Sequence, residues 1–467
     1  MPINSFDFWL VFPFIFALYW VIPSRFQQAR KTFLLIVSYL LYLNWKPAFA
    51  LVLLGVTTIT YIGGRVFERE SGKSRKKLAI VFSILGILPL CVFKYYNFLN
   101  NNLTELLKSI HIQFSLPGLN WAIPVGISFF TFQAVGYMLD VYHKRIDAEH
   151  NFLDYMLFVS FFPQVTSGPI SKASELLPQI KATHKFDFEK AKQGVKFLLW
   201  GMFLKMALAD RLGLYVDSVI SNFDQRAGVN CLIASIFYSI QIYGDFAGYS
   251  LIAIGIAKTL GFNLINNFER PYFSISVTDF WRRWHISLSR WLKDYIYIPL
   301  GGSRCSKARN YWNIFVTFLV SGIWHGANWT YIVWGCFHGI AQIIEKALGL
   351  QKCNSKNFFV RTLRIAFTFT IVSFAWIFFR MPSIGEAMSF ISHIFTNFGS
   401  MEVIKDGGGM VLLITIVFLK DAKHEFRPKF AQFTDKPLFQ MVEYVMLVII
   451  IFGFGVLDSS QFIYFNF

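Results

Sequence analysis

Two histidines stand where imidazole chemistry is easily shielded from water. In Ser321-Gly322-Ile323-Trp324-His325-Gly326-Ala327-Asn328-Trp329, His325 lies midway through a long apolar stretch, 311–344. Apolar surroundings favour the neutral imidazole, and a general base of that kind contributes about 10²–10⁴-fold to a reaction rate. Gly322, Gly326, Ala327 and Asn328 make a small-residue patch at which a helix can break or admit a ligand to its backbone. From spacing alone, a base and a polar tie between two helices are equally good readings of His325. The second histidine, His285, sits inside a basic, tryptophan-rich segment about forty residues earlier. There a hydrogen-bonded structural ring is the commoner case. His338 reads as a packing partner. His111, His143, His150, His184, His393 and His424 fall near loops or span ends and receive no role. No histidine has metal-ligand spacing, and no G-x-S-x-G, phosphate-binding loop or H-E-x-x-H is present.

The segment around His285 predicts one helix over 278–298. Ser276 with Asp279 fits a capping box, and Pro299-Leu300-Gly301-Gly302 stops it. At helical spacing Arg282, Arg283, Arg290 and Lys293 share one face, while Trp281, Trp284, Leu288, Trp291 and Tyr295 share another. This predicts a helix in the membrane plane, with rings among headgroups and cations toward water. The cations would then either anchor the chain or bind an anionic donor, such as a coenzyme A pyrophosphate or an acidic carrier, because guanidinium groups match phosphate geometry. Further polar residues at membrane depth are Gln133, Asp140, Gln241 and Asp245, which either line a path or pair with one another.

The elements that must position these residues are membrane helices. The chain has 467 residues, 55% hydrophobic and 15% charged, which excludes an ordinary soluble domain. Apolar runs lie at 6–22, 32–45, 48–63, 78–96, 119–141, 153–170, 195–209, 229–260, 311–344, 360–379, 409–420 and 438–457. Since a crossing takes about 20 residues, we expect about eleven crossings with some helices half-embedded, in a single domain over 1–467. The net charge of +17 resides in short loops, the cytoplasmic-loop pattern, and not in a nucleic-acid-binding face. The loop 65–77 is accordingly placed inside and the Lys/Arg-poor 381–409 outside. The five cysteines are scattered and predict no disulfide framework or thiolate metal site. Without an internal repeat, an inverted-repeat transporter is disfavoured.

Several motifs together resemble the membrane-bound O-acyltransferases, with the closest similarity to the alginate O-acetyltransferase branch. They are Phe280-Trp281-Arg282-Arg283-Trp284-His285-Ile286-Ser287-Leu288-Ser289 and Trp291-Leu292-Lys293-Asp294-Tyr295-Ile296-Tyr297-Ile298-Pro299-Leu300-Gly301-Gly302. With them go Pro124-Val125-Gly126-Ile127-Ser128-Phe129-Phe130-Thr131-Phe132-Gln133, Phe161-Phe162-Pro163-Gln164, Gly168-Pro169-Ile170, Asp245-Phe246-Ala247-Gly248-Tyr249-Ser250, Trp324-His325-Gly326 and the tail Phe462-Ile463-Tyr464-Phe465. Leu251 departs from the acid that often follows Gly-Tyr-Ser in relatives.

The resemblance implies an all-α polytopic fold, a ring of about eleven transmembrane helices around a thin centre crossed by a tunnel. It implies that His325 is catalytic within that tunnel and that His285 is the second invariant histidine, near the cytoplasmic entrance. Trp324, Asn328, Arg282, Arg283, Trp281, Gln133 and Asp245 are then candidates for substrate binding. The implied reaction takes an acyl group, most simply acetyl, from a cytoplasmic thioester such as acetyl-CoA or an acyl carrier. It delivers the group to an extracytoplasmic polysaccharide or cell-wall glycan through an SGNH-type or similar partner protein. No bound cofactor, no metal and no nucleic acid is implied, and the expected location is a bacterial inner membrane, in contact with its lipids. A transporter of a small solute or acetyl donor, and a non-catalytic scaffold for an extracytoplasmic acetyltransferase, are the competing readings.

Overall fold

A computed structural model describes residues 1–113, 115–352, 357–400, 407–427 and 436–456. Cys353 and the tail motif at 462–465 lie outside them. Regular structure among the described residues is helical, the arrangement in which an apolar chain satisfies its own backbone. The contacts divide into two compact units.

The first unit comprises Met1–Val195 with Ala253–Ile265. It contains α1 (Phe6–Val21), α2 (Gln27–Leu43), α3 (Pro47–Arg69), α4 (Gly72–Ser109), α5 (Ile127–Tyr142), α6 (Phe152–Ser160) and α7 (Ala173–Lys181), and the start of α8 (Phe188–Met202). In α1, Phe8, Phe12, Ile15 and Tyr19 are buried while Phe6, Leu10, Phe14 and Leu18 are exposed. A helix that is apolar on both its packed and its open face belongs between protein and lipid. The loop expected over 65–77 is almost entirely helix: Arg65 and Arg69 end α3, and Lys73, Arg75, Lys76 and Lys77 begin α4. Arg75 donates to the Val141 and Tyr142 carbonyls at 3.0 Å each, so it closes the end of α5. The run 153–170 is helical only to Ser160. Beyond it the chain is irregular yet buried, held by contacts such as Phe162 N–H to Ser38 Oγ at 3.1 Å.

The second unit comprises Lys196–Ile252 with Asn266–Ile463. A π-helical turn, Phe203–Ala209, leads into α9 (Asp210–Ile220), followed by α10 (Gly228–Thr259). Next come α11 (Val277–Arg283), α12 (Ile286–Leu292), α13 (Lys307–His325), α14 (Trp329–Ala347), α15 (Phe358–Arg380), α16 (Ile384–Thr396), α17 (Gly407–Phe426) and α18 (Pro437–Phe454). The stretch 311–344 does break at the small-residue patch, giving α13 and α14. These two helices pack at a glycine pair. A Cβ on Gly322 would stand 2.3 Å from the Tyr331 carbonyl oxygen, and one on Gly335 would stand 2.5 Å from that of Phe318. Only glycine permits so close an approach, and it sets the helix end that carries His325.

Among the described residues four helices, α3, α4, α10 and α15, have the length and apolarity to cross a membrane. The expected figure of about eleven counted apolar runs, several of which fold differently. The run 119–141 is helical only from Ile127, and 195–209 passes into the π-helical turn.

Candidate active site

The helix expected over 278–298 is in fact three short pieces. Ser276 caps α11 as read, its hydroxyl accepting from Asp279 N–H at 3.0 Å, and Asp279 in turn accepts from Ile275 N–H at 3.3 Å. Glu345, in the last turn of α14, accepts from the Val277 and Thr278 amides at 2.7 and 2.9 Å. A carboxylate on those unpaired donors complements the positive helix end. The chain then breaks at His285, whose φ of 42° and ψ of 55° lie in the left-handed region. For a non-glycine residue this costs on the order of 1–3 kcal/mol, and such strain concentrates at functional sites. α12 follows and ends in a π-helical turn, Lys293–Tyr297.

This break corrects the in-plane reading of the rings. Trp281, Trp284, Leu288 and Trp291 are buried in protein and not among headgroups. Trp281 packs edge-on to Phe318 and Trp334, with centroids 5.1 and 5.6 Å away, and Trp284 lies 5.1 Å from Trp376. Trp281 Nε1 donates to His338 Nδ1 at 3.3 Å, so that indole N–H is already engaged and His338 is the packing partner expected. Of the cations, Arg282 is exposed. Arg283 is bound to Asp279 at 3.2 Å and to Glu425 at 3.0 Å. Arg270 and Arg361 reach the same Glu425 carboxylate, at 3.0 and 2.5 Å. Burial raises the Glu425 pKa, but hydrogen bonds and charge from Arg283 and Arg270 outweigh it and hold the carboxyl below its ordinary value.

His325 ends α13 and is 1% exposed. Its ring is surrounded edge-on by Trp324 and Trp334, each at 4.9 Å, and by Phe379 at 5.2 Å. Trp324 also faces His285 at 5.8 Å, so one indole separates the two histidines. His285 is fully buried, and burial pushes its pKa down to about 3, which keeps the ring neutral. Its Nδ1 hydrogen-bonds Asn267 Oδ1 at 3.3 Å, and Phe246 packs on its ring at 4.6 Å. His285, Trp324, His325 and Trp281 therefore converge in one ring cluster, completed by Trp334, Trp376 and His338.

The remaining candidates are elsewhere or occupied. Asn328 is the N-cap of α14, accepting from Thr330 N–H at 3.0 Å and donating to the Pro382 carbonyl at 2.7 Å. Asp245 is paired to Lys205 at 2.6 Å, and the same ammonium binds Asp210 at 2.6 Å, all three side chains being buried. Gln133 belongs to the first unit, where it donates to the Phe158 carbonyl at 2.5 Å and accepts from Gln164 at 3.0 Å. Asp140 pairs with Arg145 at 3.0 Å. Asn267, Lys205, Glu345 and Glu425 went unnoticed in the sequence. Apart from Asp210, which is five residues from Lys205, the partners named here are distant in sequence, and no local period announces them.

Comparison with known proteins agrees with the motif resemblance. A family model described as MBOAT, membrane-bound O-acyltransferase family, matches residues 141–391. The chain is 38% identical over 401 residues to the probable alginate O-acetylase AlgI of Pseudomonas aeruginosa, covering 84% of this chain and 74% of that one. It is 32% identical to the peptidoglycan O-acetyltransferase of Helicobacter pylori, covering 77% and 72%. It is 26% identical to the teichoic acid D-alanyltransferase of Bacillus subtilis, covering 76% and 91%.

Proposed function

We propose that this chain, which belongs to the membrane-bound O-acyltransferase family, is a multi-pass membrane enzyme that moves an acetyl group from a cytoplasmic thioester to the hydroxyl of an extracytoplasmic glycan. The observation that carries the reading is the placement of His325. A rigid glycine-packed helix pair ends in a buried imidazole walled by aromatic rings. The glycan class comes from the relatives named for alginate and peptidoglycan acetylation. The donor is acetyl-CoA or an acyl carrier, and an SGNH-type partner relays or accepts the group outside.

In this mechanism His325 takes the proton of the acceptor hydroxyl as its oxygen attacks the thioester carbonyl. The carbon–sulfur bond breaks, and the thiolate leaves with the proton that the imidazolium returns. One ester and one thiol replace one thioester and one hydroxyl. Apolar rings around an imidazole favour the uncharged form that can begin as a base. Exposed Arg282 remains available to a phosphate-bearing donor, whereas Arg283 is committed to Glu425.

The test uses purified protein in liposomes with labelled acetyl-CoA and a glycan acceptor. Ester formation that disappears in His325→Ala supports the enzyme. Solute uptake without ester would favour a transporter, and full ester levels in cells carrying His325→Ala would favour a scaffold.

A further inference from the structure

The motif Asp245-Phe246-Ala247-Gly248-Tyr249-Ser250 and the short connection after α10 have no part in the mechanism above, yet both reach His285. Asn267 is 1% exposed and sits against the chain break. Its backbone carbonyl accepts from Ile286 N–H at 3.0 Å. Its Oδ1 accepts from Ser287 N–H at 3.0 Å and from the Ser287 hydroxyl at 2.9 Å, and it lies 3.3 Å from His285 Nδ1. Its Nδ2 donates to Ser250 Oγ at 3.3 Å. The orientation of this amide is therefore fixed by chemistry, since a backbone N–H can only donate, and the atom it meets must be the oxygen. An oxygen at that place can only accept from the ring, so the Nδ1 of His285 must carry the proton.

We infer that Asn267 is a positioning residue for the proposed acyl transfer, holding His285 as its Nδ1–H tautomer so that Nε2 presents a lone pair. Ser250 on α10 holds Asn267 in turn, which gives the motif its purpose. The left-handed backbone at His285 brings Ile286 and Ser287 amides onto one asparagine, and the same strain aims the ring. A ring so held takes a hydrogen-bond donor at Nε2, such as a hydroxyl, a thiol or the amide N–H of a thioester's arm, and not a carbonyl. The elements packed on it bring Phe246 from α10 and Trp324 from α13, and burial depresses its pKa.

The inference rests on the acyltransfer reading for its purpose, but its test does not. Protein labelled with ¹⁵N-histidine is studied in lipid by solid-state NMR, with the His285 resonances assigned by difference against His285→Gln. The expected spectrum is a neutral ring protonated on Nδ1, unchanged between about pH 7 and pH 5. In Asn267→Ala the Nδ1 preference disappears, and kcat falls about 10–100-fold with KM nearly unmoved, the usual cost of removing the group that orients a functional histidine. Asn267→Asp keeps the acceptor but adds a charge, so the imidazolium forms between about pH 5 and 8 and kcat acquires an acidic limb. A wild-type ring protonated on Nε2 overturns the assignment, as does the wild-type tautomer persisting in Asn267→Ala or an unshifted limb in Asn267→Asp. If Asn267→Ala does not fold, the wild-type spectrum still decides. An active His325→Ala enzyme would sink the reaction proposed above and leave these spectra unaffected.

Discussion

Two groups of buried polar side chains, one in each unit, have different surroundings. In the first, Gln133, Gln164 and Ser171 form a closed chain: Gln133 accepts from Gln164 at 3.0 Å, and Gln164 accepts from Ser171 at 2.6 Å. Each amide is consumed by a neighbour, which is how buried polar groups escape their desolvation cost. In the second unit the rings of Trp324 and Trp334 pack edge-on to His325, and His285 Nδ1 lies against the neutral amide of Asn267. Depth in the protein is thus a poor marker of chemistry. What separates the two regions is what packs on the polar group: matched amides and a hydroxyl around Gln164, aromatic rings around His325.

Substitutions can break this contrast. The largest stability effect is expected from Lys205→Met, which strands Asp210 and Asp245 as buried carboxylates. Removing one member of such a group costs about 3–5 kcal/mol. Thermal unfolding in detergent should drop steeply, and an unchanged midpoint would mean that the ion pairs contribute nothing. Gly335→Ala comes next, at about 1–3 kcal/mol for overpacking against the Phe318 carbonyl. It should also lower acyl transfer by displacing His325, whereas wild-type activity in a stable variant would show that this helix crossing does not set the ring.

Glu425→Gln probes the three-arginine hub. The folded Glu425 pKa lies below its ordinary value, so the carboxylate adds stability above the unfolded value and loses it as pH falls through the folded one. The gap in unfolding midpoint between wild type and Glu425→Gln should be constant at neutral pH and close in acid. A gap that widens in acid would reverse the sign. The smallest effect on catalysis is expected at Gln133. Gln133→Glu should destabilise the first unit, because a buried carboxylate would face the Phe158 carbonyl, yet leave KM for the donor of the folded enzyme within about two-fold. A large KM change would return Gln133 to the substrate path.

The helical class, the cap at Ser276, the break after His325 and the packing role of His338 were legible in sequence because each is a local signal. The burial of Trp281, Trp284 and Trp291 was not. Their spacing marks an apolar face, and periodicity cannot say whether lipid or protein covers it; here Phe318, Trp334 and Trp376 do. The single helix over 278–298 failed at His285, whose positive φ is uncommon for a non-glycine residue and is not announced by the surrounding helical pattern. The ion pairs of Arg283 with Glu425 and of Asp245 with Lys205 were not legible, because the partners are 142 and 40 residues away.

The central claim is that the ring at the end of α13 performs the proton transfer. The most direct measurement is single-turnover acyl transfer from labelled acetyl-CoA in proteoliposomes, comparing wild type with His325→Gln at equal folded amounts. The account predicts that the chemical step slows by at least about 10²-fold, with donor binding retained. An unchanged rate in a folded His325→Gln enzyme would contradict it.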